Sequence, residues 1–94
     1  MRCEFSERAI LDLEEIGDFI ARDNPVRAVS FIEDLRRRCE TIAFQPFAAP
    51  LKPVYGEGVR QVPFGRYLIF YRAATNAVII EHIRHSGRKS ERLG

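Results

Sequence analysis

Ninety-four residues, 46% of them hydrophobic and 30% charged, describe one globular domain spanning residues 1–94 and exclude a disordered chain. No apolar run approaches the roughly 18 residues of a membrane span, and the N-terminus shows no signal-peptide core. A cytoplasmic protein with no membrane partner is therefore expected. The net charge of +2 hides an uneven distribution: residues 1–47 hold seven Lys/Arg against ten Asp/Glu, and residues 48–94 hold eight against three. Such a split fits a basic face that meets something anionic, and equally fits plain solubility.

Along the chain, Arg2–Phe5 alternates with Cys3 and Phe5 on one side, as a short strand does. Ser6 is placed to cap a helix and Glu7 to complement its dipole. Ala9, Ile10, Leu13, Ile16, Phe19 and Ile20 then recur at three- and four-residue steps, with Asp12, Glu14, Glu15 and Asp18 between them. That pattern predicts an amphipathic helix ending near Asp23. Asn24-Pro25 starts a second one, with an asparagine cap followed by proline at the first helical position. Its stripe is Ala28, Val29, Ile32, Leu35, Cys39 and Ile42, widened by Phe31. Arg36-Arg37-Arg38 points in three directions and reads as a solvated face. Gln45-Pro46 is expected to end this helix, and the two helices to pack as an antiparallel hairpin.

Residues 46–58 hold three prolines and two glycines and read as a loop. Val59 to Arg72 then makes two strands around a turn at Gly65. Tyr67-Leu68-Ile69-Phe70-Tyr71, an almost continuous apolar run, predicts a central strand buried on both faces. A last strand follows over Val78–His85, and the tail from Ser86 is polar and basic. Strand, two helices and three strands make an α+β class, the helices covering one face of the sheet and leaving the other available. Cys3 and Cys39 are expected to be reduced, buried thiols.

Few catalytic patterns occur. There is no Gly-rich phosphate loop, HExxH or paired CxxC, and His82 and His85 point to opposite faces of a strand and cannot share a metal. No cofactor or metal is expected. Lys52, Arg60, Arg66, Arg72, His85, Arg88 and Lys89 could neutralise phosphates, with the histidine moving a proton. The arginines are also what strand ends carry for solubility. Residue chemistry leaves a binding face and a nuclease both open.

Four blocks in order resemble the ParE/RelE superfamily of toxins from type II toxin–antitoxin pairs, most closely its ParE branch. They are Ser6-x-x-Ala9-x-x-Asp12-Leu13-x-x-Ile16; Asn24-Pro25-x-x-Ala28-x-x-Phe31-x-x-x-Leu35; Gly58-Val59-Arg60 through Gly65-Arg66-Tyr67-Leu68-Ile69-Phe70-Tyr71-Arg72; and Ile83-Arg84-His85-Ser86-Gly87-Arg88. The resemblance implies a β-α-α-β-β-β fold with an antiparallel-rich sheet, and a growth-arresting toxin of the plasmid-stabilisation kind. A ParD-like antitoxin would neutralise it, in a hetero-oligomer or around a toxin dimer. ParE-type proteins inhibit DNA gyrase, which here places target contacts at Arg84, His85, Arg88 and Lys89. RelE-type relatives instead cut mRNA on the ribosome, for which the catalytic candidates are Arg60, Arg66, Arg72 and His85; no tyrosine follows Tyr71 to serve as a C-terminal catalytic group. For the antitoxin, the expected groove is floored by Phe19, Phe31, Leu35, Phe44 and Phe47, with Arg60, Arg66 and Arg72 attracting its acidic residues.

Overall fold

The computed structural model describes residues 1–87. It contains strand β1 (Arg2–Phe5), helices α1 (Glu7–Ala21) and α2 (Pro25–Ile42), a short 3-10 turn at Pro53–Tyr55, and strands β2 (Arg60–Phe64), β3 (Tyr67–Ala73) and β4 (Ala77–His85). The sheet order is β1-β4-β3-β2, with β1 parallel to β4 and the other pairs antiparallel. The α+β class and the β-α-α-β-β-β order are as the sequence implies.

The local signals work as their chemistry demands. Ser6 Oγ accepts from the Ala9 amide at 3.0 Å, and Asn24 Oδ1 accepts from the Arg27 amide at 3.0 Å, with Pro25 opening the second helix. Gly65 turns the β2–β3 hairpin at a φ of +57°, where a side chain would be strained although nothing crowds the space. The helix α2 stops at Ile42, three residues before Gln45. The amides of Ala43, Phe44 and Gln45 bond carbonyls three residues back, which tightens the chain before Pro46.

Ala9, Leu13 and Ile16 of α1 and Leu35, Cys39 and Ile42 of α2 pack on the inner face of the sheet, against Val62, Tyr67, Ile69, Tyr71, Val78, Ile80 and Ile83. The stripes drawn from periodicity are shifted. Ile10, Phe19 and Val29 are exposed, because each lies at the margin of its helical stripe and the sheet reaches only the centre. Phe31 is half-buried instead, its ring 5.6 Å from those of Phe64 and Tyr67. Cys3 and Cys39 are free thiols; burial pushes Cys3 up to about 11 and Cys39 to about 12, so both stay protonated at neutral pH.

The outer face of the sheet is not wholly open. Tyr55 lies on Phe70 with ring centroids 4.8 Å apart, so the loop between Leu51 and Val59 folds across that face. Gly56 permits this approach, since a Cβ there would sit 3.0 Å from Arg72 Nη2 and 3.1 Å from Val59 Cγ2.

Asp12, which the helical pattern put on the polar side, is 4% exposed. The cause is a mismatch of strand lengths. β1 pairs β4 only from Ala77 to Ile80, which among the described residues leaves the rest of that β4 edge without a strand. The start of α1 takes its place. The Ser6 amide donates to the Ile80 carbonyl at 2.9 Å, and Ser6 Oγ to the Glu81 carbonyl at 3.0 Å. The Ile83 amide donates to Asp12 Oδ2 at 2.9 Å. An Asp12→Ala variant strips a buried amide and a half-buried imidazole of their acceptor. It should lower stability by about 3 kcal/mol, measured as a fall in the urea midpoint with an unchanged m-value.

Candidate functional site

The candidate arginines do not converge. Arg60 is opposite Tyr71 and shares its helix-side face, whereas Arg72 is opposite Ile79 on the other face. Each is committed to holding a loop. Arg60 Nη1 donates to the carbonyls of Phe47 (3.2 Å) and Ala49 (2.6 Å), with its guanidinium 5.3 Å from the centre of the Phe47 ring. Arg72 Nε pairs with Glu81 Oε2 at 2.6 Å, and its Nη1 donates to the Glu57 carbonyl. Arg66 is exposed at the hairpin turn, where its carbonyl accepts from the Ser86 amide at 2.6 Å. His85 stands edge-on to Tyr67 at 5.1 Å, and its Nδ1 accepts from the Gly87 amide at 3.0 Å. Arg66 and His85 thus meet at one end of the sheet, while Arg60 and Arg72 serve elsewhere. Arg88 and Lys89 lie outside the described residues.

The five residues expected to floor one groove are also dispersed. Leu35 is fully buried in the core and offers no surface to a partner. Phe19 lies beside the start of α2, with Arg22 over its ring, and Phe44 and Phe47 lie beyond the end of α2. The 18 residues of that helix separate them by about 27 Å. Phe31 belongs to the aromatic cluster with Phe64 and Tyr67. What remains together is Phe44 (83% exposed) and Phe47 (63% exposed), beside a cleft of about 460 Å³ between the end of α2, the segment 48–50 and β2. Its floor is Tyr71, whose hydroxyl donates to the Pro46 carbonyl at 2.7 Å and fixes the helix exit.

A polar network that composition did not announce runs along the far edge of β4. Arg8 Nε donates to Asp12 Oδ1 at 2.9 Å, Asp12 Oδ2 lies 2.6 Å from His82 Nδ1, and His82 Nε2 lies 2.7 Å from Arg84 Nη2. A guanidinium has no acceptor, so Nε2 must accept and Nδ1 must carry the proton donated to Asp12. Both imidazole nitrogens of His82 are thereby occupied. The helical step supplies a cue for this: Asp12 is three residues after Ala9 and four before Ile16, on the inward stripe. Among the described residues, no three His, Cys, Asp or Glu side chains group as a metal would need, and no helix is long and apolar enough to cross a membrane.

Comparison with known proteins gives the family. The structure is similar to a chain of the chromosomal ParDE toxin–antitoxin system from P. aeruginosa, at a TM-score of 0.79 and 18% identity, covering 90% of this chain and 95% of that one. It is similar to the isolated RelE toxin of E. coli at a TM-score of 0.64 and 14% identity, over 98% and 90% of the two chains. A YafQ mutant from E. coli aligns over 100% of both chains at 0.51 and 15% identity. These likenesses establish a shared fold. No curated protein sequence matches the chain. The family model of the ParE toxin of type II toxin–antitoxin systems, parDE, matches residues 3–90. The chain belongs to the ParE toxin family.

Proposed function

We propose that this toxin arrests growth in the cytoplasm by inhibiting DNA gyrase, and that a ParD-like antitoxin neutralises it. The observation that carries this reading is the engagement of Arg60 and Arg72 on opposite faces of the sheet, each bound to a loop carbonyl. RNA cleavage needs phosphate-neutralising cations and a proton-transfer group around one scissile bond. Inhibition by binding needs only a surface. Arg66 and His85 supply a basic end of the sheet for the target. Phe44 and Phe47 supply large exposed apolar anchors for the antitoxin. Phe19, Val26 and Val29 form a second exposed apolar group at the other end of the helical hairpin.

Purified protein should reduce gyrase supercoiling while translation extracts continue to run, and its expression should give filamentous cells, because unrepaired breaks block division. Normal supercoiling with ribosome-dependent mRNA cleavage would establish the nuclease reading in its place.

His85→Ala separates the two chemistries residue by residue. The variant should lose less than tenfold in potency, no more than is explained by the fall in melting temperature from losing the Tyr67 edge contact and the Gly87 hydrogen bond. A general acid or base would cost about 10²–10⁴-fold in rate. Dose–response of growth inhibition, with thermal unfolding as a control, distinguishes these outcomes.

A further inference from the structure

The cleft past the end of α2 has a charge and a hydrogen-bonding pattern of its own. Ile42, Val62 and the Tyr71 ring make its apolar floor, and Phe44 stands at the rim. Among the described residues no Asp or Glu lines it, and Arg38 does, steadied by a 2.9 Å hydrogen bond from its Nη1 to Thr41 Oγ1. Behind the Ala49 wall lies the Arg60 guanidinium, held by the Phe47 and Ala49 carbonyls. Both cations are felt at the floor: burial pushes the Tyr71 phenol up, and Arg60 and Arg38 oppose that shift.

The backbone adds a second constraint. A two-residue turn makes Phe64 and Tyr67 a hydrogen-bonded pair, so Gln61 and Pro63 turn their main-chain groups away from β3. The Gln61 amide is taken by the Pro50 carbonyl at 3.3 Å, and Pro63 has no amide. Along the cleft, this edge offers carbonyls and no N–H. Phosphate oxygens, which only accept, find no backbone donor on this edge, so an anion there is held by the side-chain donors of Arg38, Gln45 and Gln61. A peptide amide finds acceptors, an apolar side chain finds the floor, and a carboxylate finds Arg38.

We propose that this cleft binds an extended acidic peptide segment, seating a large apolar side chain over Tyr71 and an adjacent carboxylate on Arg38. The inference rests on the antitoxin reading above and adds where such a partner is held and by what chemistry. The Pro63 gap limits strand pairing at this edge, so specificity falls on side chains rather than on a long ladder. Arg60 adds positive field and keeps the wall of the cleft in place.

The test is a titration of isotope-labelled protein, followed by amide NMR shifts, with three probes. They are the capped peptide Glu-Glu-Phe-Leu-Glu, its Lys-for-Glu counterpart, and penta-uridylate. The acidic peptide should move the amides of Thr41, Ala48, Ala49 and Gln61, and the lysine peptide should not. Arg38→Glu, and independently Ala48→Glu at an exposed position on the cleft wall, should each weaken binding about tenfold. Shifts confined to residues outside the cleft overturn the inference and leave the antitoxin reading standing. No response to the acidic peptide, or a response to penta-uridylate alone, overturns it too. Failure of the antitoxin reading shows separately, as growth arrest that a co-expressed ParD-like protein does not relieve.

Discussion

The Asp12 carboxylate is the interaction on which the layout of this fold depends. A four-residue β1 covers less than half of the nine-residue β4, so one edge of a central strand would otherwise carry bare amides. Asp12 closes that edge from the helix. It accepts from the Ile83 amide, from His82 and from Arg8, so a nearly buried anion has its lone pairs satisfied. The same contacts fix where the start of α1 lies on the sheet. At the other end of the helical layer, the hydrogen bond from Tyr71 to the Pro46 carbonyl fixes where the chain leaves α2 and so where the cleft lies.

A division of labour among the arginines follows. In a chain of this size the second half is rich in positive charge, yet Arg60 and Arg72 are spent on holding loops, and Arg84 reaches into the His82 network. Net charge counts cations without saying which are committed. Arg66 and Arg38 keep positive charge near the surface, at opposite ends of the inner layer. A phosphodiester cleavage site needs the reverse of that separation.

The elements were legible where local chemistry decides. Ser6, Asn24-Pro25 and Gly65 each act through groups within three residues of themselves, and the strands and helices start where these signals lie. The site was less legible. The burial of Asp12 follows from strands 75 residues apart differing in length, and no window around residue 12 contains that fact. Phe44 and Phe47 are exposed beyond the last apolar position of α2, which their number alone leaves open between surface and core. Periodicity gives a face but not the distance along it, and so it groups Leu35, in the core, with Phe19, at the far end of the hairpin. Tyr71 read as core, and it is; its second role, tying Pro46 and so shaping the cleft, comes from a hydrogen bond across 25 residues.

Amide hydrogen exchange at Ile83 addresses the role of Asp12 most directly. The amide faces the edge that β1 does not reach, and it donates to the Asp12 carboxylate. The account predicts exchange as slow as that of the core strand amides, with protection close to the global unfolding free energy. Exchange at the rate of an unprotected edge amide, in a protein whose other β4 amides stay protected, would contradict it.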